Sequence, residues 1–253
     1  MNKRIKRVVA LSLITMSCVG GLNSVFANEN TILNNKDSKT IEARWTVKSN
    51  AITKTVKSIP YKFWTQASSD VAGAYGSIVA SSTKSIPAGY ISGHANLYNG
   101  QHKVVKTADW YTNPSSTYNY MNTTPRTIAS NRFYTKGTVR LYNGSKYEGY
   151  TANQSPEVSY GSGRGITISE KEFDERQKLY DTKNMIAAVG VNDVEGYVSI
   201  DDLYDTTNEP KSPEEMLERQ NKRMRSNETY RLIPLYDNDG ETIIGEYRID
   251  FKL

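Results

Sequence analysis

The chain has 253 residues, a formal net charge of +5 and a single cysteine, Cys18. Because Cys18 lies within the first 27 residues, the rest of the chain has no thiol for a disulfide, a redox centre or a cysteine–zinc site. Residues 28–163 carry 15 Lys and Arg against 7 Asp and Glu, whereas residues 164–253 carry 13 against 20. This reversal of charge predicts two modules. Four of the basic residues lie in the first 27 with no acid, so the remainder has 28 basic against 27 acidic residues, and the nucleic-acid partner that the basic whole chain suggests is not expected.

The first 27 residues are typical of a secretory signal peptide. A basic start precedes an apolar segment over residues 8–19, and Val25 and Ala27 occupy the −3 and −1 positions of a cleavage site. Polar residues and glycines interrupt the apolar segment before it reaches the roughly 20 residues that a membrane-spanning helix requires. We therefore expect a secreted, extracellular protein, released or held non-covalently at the cell wall, with no membrane span after cleavage. Because exported proteins without cysteine are common in Gram-positive bacteria, we expect a source of that kind.

The middle of the chain has the composition of a β protein. Residues 28–58 are polar and predict a flexible lead-in with at most one strand, near residues 41–47. Residues 59–161 are rich in Tyr, Thr, Val, Ser and Gly and show no helical period, which predicts a β domain.

The β domain contains an internal repeat. Residues 90–108 match residues 134–152 at a constant offset of 44, and each copy contains the motif Leu-Tyr-Asn-Gly, at 97–100 and 141–144. Asn-Gly favours tight turns, so each motif predicts a strand that ends in a hairpin turn. The predicted fold is mainly β: a Tyr-rich antiparallel β-sandwich or barrel with a hairpin repeat, followed by a smaller α+β module.

Residues 162–253 form that smaller, acidic module. Ser169 and Glu172 make a capping box that begins a helix ending near Lys183, and Ser212 with Pro213 begins a second helix ending near residue 226. The predicted strands are residues 185–189, 196–200, 230–236 and 242–251, with a turn at 237–240 between the last two.

Part of this module resembles the tail module of small exported proteins from relatives of Bacillus and Clostridium. The resemblance covers roughly residues 185–253 and rests on Gly196-Tyr197-Val198, Asp202-Leu203, the segment 210–215 and the segment 233–246. Those proteins are mostly uncharacterised, so the resemblance implies no activity and carries over no catalytic residue.

No catalytic motif stands out. The chain has no nucleophile elbow, phosphate-binding loop or zinc-binding helix pattern. His94 and His102, with Asp109 nearby, form a weak candidate metal site, but metal sites usually need three or four ligands, so we interpret both as exposed histidines. The segment 237–240 begins like a calcium loop, yet its Gly is fourth rather than sixth, which indicates a hairpin turn. We predict no catalytic residue, no metal and no cofactor.

Aromatic residues are the strongest sign of binding. Of 18 tyrosines, 12 lie in residues 28–163 together with all three tryptophans. Our candidate binding residues are Trp110, Tyr111, Tyr118 and Tyr120, which look loop-like and part-exposed, and the repeat tyrosines Tyr98 and Tyr142. Such rings suit stacking on sugar faces or clamping a polar partner. The alternative is that tyrosine is present as an ordinary strand residue.

The sequence therefore favours an exported, non-enzymatic binding protein that acts at or outside the cell envelope. Its partner would be a cell-wall polymer, a glycan or another protein, and its basic surface would favour anionic polymers. Two alternatives stay open: a secreted regulatory or inhibitor protein that binds a protein partner, and a hydrolase with an unrecognised site. The sequence does not determine the oligomeric state.

Overall fold

The computed structural model describes residues 45–161 and 169–252, so the predicted signal peptide, residues 1–27, lies outside the described residues. The first ten strands are β1 (Trp45–Lys48), β2 (Ile52–Val56), β3 (Ile59–Asp70), β4 (Gly73–Ile86), β5 (Ile91–Asn99), β6 (Val104–Thr112), β7 (Thr117–Thr123), β8 (Asn131–Tyr142), β9 (Tyr147–Thr151) and β10 (Val158–Tyr160). The remaining elements are α1 (Glu170–Lys183), β11 (Met185–Val189), β12 (Glu195–Ser199), α2 (Ile200–Tyr204), α3 (Pro213–Arg225), β13 (Tyr230–Tyr236) and β14 (Ile243–Asp250).

The first ten strands form a β-sandwich. One sheet has the order β1-β3-β4-β7 with β2 also on β3, and the other begins β10-β8-β5-β6 with β9 also on β8. Every pairing among these ten strands is antiparallel, which confirms the predicted fold class. Fully buried side chains fill the space between the sheets, among them Tyr61, Phe63, Ile78, Ile86, Ile91, Val139 and Leu141.

Strand β6 and the last four strands form a closed five-stranded barrel. The ladder runs from β6 through β11, β12, β13 and β14 and returns to β6, because Val104 pairs with Ala188 of β11 and Ala108 pairs with Asp250 of β14. The two pairings with β6 are parallel and the others are antiparallel. The barrel core is apolar, with Val104, Val198, Leu203, Leu235 and Ile249 fully buried.

Strand β6 therefore belongs both to the sandwich and to the barrel. Ion pairs join the same two parts: Lys103 Nζ lies 2.5 Å from a Glu195 oxygen, and Arg140 Nη2 lies 2.6 Å from a Glu209 oxygen. Basic side chains of the sandwich thus contact acidic side chains of the later segment, in line with the opposite net charges of these two parts of the sequence. The α+β segment is continuous with the β domain through a single nine-stranded sheet.

The repeat forms the two expected hairpins, β5–β6 and β8–β9. The asparagine of each Leu-Tyr-Asn-Gly motif acts through its side chain. Asn99 Oδ1 accepts hydrogen bonds from the N–H groups of Gln101 and Lys103, both at 3.0 Å. Asn143 Oδ1 accepts them from Ser145 and Lys146 at 2.9 and 3.0 Å. Each asparagine thus satisfies turn N–H groups that no strand partner reaches.

Two predictions about the β region are corrected. The strand expected near residues 41–47 is present as β1, but the rest of the described lead-in also contains a strand, β2, because β3 is long enough to pair with both. The candidates Trp110 and Tyr111 lie within strand β6, and Tyr118 and Tyr120 lie within β7, rather than in loops. Only the connection between these strands, residues 113–116, is irregular.

The later elements match the sequence closely. Ser169 Oγ accepts the N–H of Glu172 at 3.2 Å and Ser212 Oγ accepts that of Glu215 at 3.3 Å, so both predicted caps begin helices. Asp239 closes the β13–β14 turn by accepting bonds from residues 241 and 242, and these bonds lower the pKa of its carboxyl to about 2. The short helix α2 was not predicted.

Candidate functional site

A groove of about 670 Å³ lies between helix α1 and the outer face of strands β5, β8 and β11. Its walls combine aromatic rings with cationic and amide side chains. No Asp or Glu lines it among the described residues. The residues with the chemistry to bind a ligand are Tyr98, His102, Tyr134, Lys136, Gln154, Phe173, Arg176, Gln177, Tyr180 and Tyr204.

The floor of the groove is a stacked pair of tyrosines. Tyr98 of β5 and Tyr134 of β8 are directly paired in the strand register, and their rings lie 5.1 Å apart and nearly parallel, at 7°. Burial raises the pKa of both phenols, so both are neutral. Tyr134 Oη lies 2.8 Å from His102 Nδ1, which fixes the ring from the turn side. The pair forms a rigid floor, because both side chains are almost fully buried.

Lys136 lies over this floor. Its Nζ lies 5.1 Å from the centroid of the Tyr98 ring and 6.0 Å from that of Tyr134, within cation–π distance. It forms no ion pair with a carboxylate in the described part of the chain, and loss of solvent lowers the pKa of its ammonium. An ammonium without a carboxylate partner, beside an open groove, is a natural counter-charge for an anionic ligand.

Helix α1 forms the opposite wall. Phe173 and Tyr180 are 53% and 51% exposed although both are large aromatic residues, and both line the groove. Arg176 lies between them, where it donates to the carbonyl of Gln101 and to Glu172. Leu179 is the buried contact of the helix. Positions 173, 176 and 180 share one helix face, so this face presents two exposed rings and a guanidinium to the groove.

A buried polar cluster lies under α2 and α3, separate from the groove. Asp109 of β6 is 1% exposed, and its Oδ2 lies 2.9 Å from Arg223 Nη1 and 3.5 Å from Arg231 Nε. His94 of β5 is fully buried, and its Nε2 lies 3.2 Å from the carbonyl oxygen of Leu203. The interpretation of His94 as an exposed histidine was therefore wrong; His102 is exposed as expected.

Burial also sets the chemistry of His94. It lowers the pKa of the imidazole to about 4, against the raising effect of Asp109. A general base has to reach its substrate within hydrogen-bond distance, and a fully buried ring offers no such approach. The weak metal site suggested by His94, His102 and Asp109 does not form, since no group of three or more His, Cys, Asp or Glu residues suited to a metal ion occurs within residues 45–161 and 169–252.

The six candidate binding residues are spread over different parts of the molecule. Only Tyr98 lines the groove. Trp110 Nε1 donates to the Tyr204 carbonyl at 2.9 Å, and the guanidinium of Arg140 covers its ring at 3.8 Å from the centroid. Tyr120 is buried and donates to the carbonyl of Tyr111 at 2.5 Å.

The other three candidates differ from these. Tyr111 is half-buried on β6, and Lys252 Nζ lies 4.5 Å from the centroid of its ring. Tyr118 is exposed on β7, and Tyr142 is half-buried beside Tyr90 at the far end of β8. Sequence reasoning missed Lys136, Phe173, Arg176 and Tyr180. A signal for the last three was available, because an otherwise charged helix carries two aromatic residues and an arginine at i, i+3 and i+7.

Comparisons with protein-family models, with curated proteins and with solved structures found no match for this chain. Over the described residues, none of the helices has the length and apolar character needed to cross a membrane.

Proposed function

We propose that this protein is an exported, non-enzymatic binding protein that acts at or outside the envelope of a Gram-positive cell. Its ligand is a segment of an anionic glycan of the cell wall, held in the groove between α1 and the β5–β8 strands. The observation that supports this proposal most directly is the position of Lys136, an ammonium without a carboxylate partner beside a groove that has aromatic walls.

The shape and the chemistry of the groove support a glycan. Phe173 and Tyr180 offer exposed aromatic faces, and such faces stack on the C–H surfaces of sugar rings with little loss of side-chain entropy. Gln154 and Gln177 supply amide groups that hydrogen-bond to hydroxyls. Lys136 supplies positive charge without a carboxylate partner among the described residues, Arg176 supplies a guanidinium that is paired with Glu172, and no Asp or Glu among the described residues lines the groove itself.

The test is co-sedimentation of the protein, beginning at residue 28, with purified Gram-positive cell walls across a salt series. Binding that weakens as salt rises is expected, because the cation–anion contacts are solvent-exposed and therefore screened. Walls stripped of their anionic polymers should bind much less protein. Absence of sedimentation at low salt would refute the proposal.

Variants in the groove make the test specific. Tyr180→Ala removes an exposed ring and should weaken wall binding about tenfold, which corresponds to about 1.4 kcal/mol. Its matched control is Tyr118→Ala, which removes a ring of similar exposure, 56%, from strand β7 outside the groove. Equal losses for the two variants would show that the groove is not the binding site.

Charge can be tested in the same way. Lys136→Gln should weaken binding about fivefold and flatten the salt dependence. Lys171→Gln is its control, because Lys171 lies on α1 and pairs only with exposed Glu175, at 3.8 Å. A salt dependence unchanged by Lys136→Gln would contradict the role given to this lysine.

One observation favours the alternative of a protein partner. The end of the barrel exposes four apolar side chains: Val191, Val194, Ile243 and Ile244. Apolar exposure of this kind is more typical of protein interfaces than of glycan sites. A secreted regulatory or inhibitor protein would give a defined cross-linked complex with another protein and no binding to purified walls.

A further inference from the structure

The two copies of the repeat are related by a local twofold axis. Strands β5 and β8 are antiparallel, and His94 of the first copy pairs with Thr138 of the second. These two positions are also equivalent in the repeat, because they are 44 residues apart. When a residue on one antiparallel strand lies opposite its own repeat equivalent on the other, a local twofold axis passes through that position. The axis is perpendicular to the sheet.

The axis generates a second tyrosine pair. The equivalents of Tyr98 and Tyr134 are Tyr142 and Tyr90, at the opposite end of the same two strands. Their ring centroids lie 5.3 Å apart in an edge-on arrangement at 70°, and Tyr147 of β9 adds a third ring 5.4 Å from Tyr142. All three rings are half-buried, so this pair is more accessible than the pair on the floor of the groove.

A lysine covers the second pair as Lys136 covers the first. Lys57 Nζ lies 5.0 Å from the Tyr90 centroid and 5.6 Å from the Tyr142 centroid, and it donates to Tyr90 Oη at 2.9 Å. The repeat does not explain this lysine, because the equivalent of Lys136 is the buried Ser92. Lys57 comes instead from the turn between β2 and β3, where its φ is 48°. A lysine thus lies over a tyrosine pair at both ends of the two strands, although different parts of the chain supply the lysine and the two pairs differ in ring geometry.

The charge around Lys57 is suited to an anion. Lys57 forms no ion pair with a carboxylate within the residues that the structure describes. Two carboxylates lie near this cluster. Glu148 on the neighbouring strand is held by hydrogen bonds from Tyr150 and Asn143 at 2.5 and 2.7 Å, and the charge of Glu214 adds to burial in raising the pKa of Tyr147. Lys146 in the β8–β9 turn is exposed and adds to the positive charge.

We propose that Tyr90, Tyr142, Tyr147 and Lys57 form a second binding site for the same anionic glycan, which makes the protein bivalent. This inference rests on the proposed function. The two tyrosine pairs lie on the same face of the β5–β8 strands, since they are eight residues apart, and eight residues of strand span about 26 Å. A polymer that engages both sites gains avidity, whereas a short fragment occupies one site at a time.

The experiment compares Lys57→Gln with Lys62→Gln in the wall-binding assay. Both substitutions remove one exposed lysine from the same sheet region, but Lys62 on β3 has no aromatic partner among the contacts described. Lys57→Gln should weaken binding about fivefold and Lys62→Gln by less than twofold. The combined variant, Lys57→Gln with Lys136→Gln, should lose more than either single variant, about 25-fold or more.

Agglutination of a soluble anionic wall polymer tests valence independently. A bivalent protein should link polymer chains and raise turbidity, and either Lys57→Gln or Lys136→Gln should markedly lower this turbidity while leaving measurable binding. Equal binding by the Lys57→Gln and Lys62→Gln variants would overturn the second site alone. Loss with Lys57→Gln but none with Lys136→Gln or Tyr180→Ala would overturn the groove and retain the second site. No wall binding by the unchanged protein would overturn both.

Discussion

Asp109 offers a sharp test of how the sandwich and the barrel are joined. Its carboxylate comes from the shared strand β6, and its two cationic partners, Arg223 of α3 and Arg231 of β13, come from the acidic C-terminal segment. The substitution Asp109→Asn keeps the side-chain shape and removes the charge. It leaves two guanidinium groups facing a neutral amide in a site where the carboxylate is 1% exposed.

The expected loss of stability follows from the burial of the Asp109 carboxylate. Removing one partner of a fully buried ion pair costs about 3–5 kcal/mol. The two arginine side chains are 29% and 22% exposed, so water compensates them in part and the cost falls to the lower end of that range or below it. We expect Asp109→Asn to lower the free energy of unfolding by about 2–3 kcal/mol. For a domain of this size the melting temperature should then fall by about 4–12 °C.

The measurement is thermal and urea unfolding, with Glu157→Gln as the control. Glu157 also pairs with an arginine, Arg132, at 3.2 Å, but both partners are exposed, and such a pair contributes less than about 1 kcal/mol. A loss for Asp109→Asn no larger than that for Glu157→Gln would refute the argument that this carboxylate links the two parts of the fold.

Three further changes test other parts of the structure. Burial lowers the pKa of His94 to about 4, so the unfolded chain takes up a proton between pH 6.5 and 4 that the folded chain does not. Lowering the pH from 7 to 4 should therefore remove about 3 kcal/mol of stability through this residue, and His94→Gln should show a weaker pH dependence in urea unfolding. Gly196→Ala would place a Cβ 2.5 Å from the Tyr236 carbonyl oxygen and should lower the free energy of unfolding by about 2 kcal/mol. Its control is Gly149→Ala, whose Cβ would meet no atom within 4 Å and should change the free energy of unfolding by less than about 0.5 kcal/mol in the same assay. Ser212→Ala removes the cap of α3 and should lower stability by about 1 kcal/mol, and an unchanged melting temperature would contradict that role.

Local signals in the sequence predicted local structure well. The caps at Ser169 and Ser212 begin α1 and α3, and the turn at residues 237–240 joins β13 to β14. These elements are determined by side chains within a few residues of each other, so their causes are visible in the sequence. The repeat was likewise visible, because its two hairpins carry the same turn chemistry.

Long-range pairing could not be predicted in the same way. Closure of the barrel depends on parallel contacts of β6 with β11 and β14, and each of these is a single paired position. These contacts pair residues that are more than 80 positions apart in the chain. No local sequence motif indicates such a contact. The buried state of His94 has the same origin, because its cover comes from Leu203 and Tyr204 of α2.

The sequence predicted the chemistry of the candidate site but not its position in the fold. Tyrosine-rich composition and the basic surplus indicated aromatic and cationic binding chemistry, yet Trp110 and Tyr120 are used for internal packing. A strand tyrosine points to the core or to solvent according to which sheet covers it, and composition alone does not distinguish these cases. The groove needs α1 as its second wall, and α1 lies in the acidic segment that sequence reasoning treated separately.

The distribution of ion pairs determines how the salt series should be interpreted. The pairs that join the sandwich to the later segment each have one nearly buried partner: Lys103 and Arg140 at 8% side-chain exposure and Asp109 at 1%. Added salt screens such pairs much less than exposed ones. Lys57 and Lys136, by contrast, are exposed and have no carboxylate partner among the described residues, so salt weakens an anion contact with them more than it weakens the buried pairs. A loss of wall binding between low and moderate salt, with an unchanged melting temperature, therefore reports the ligand contacts and not the opening of the fold.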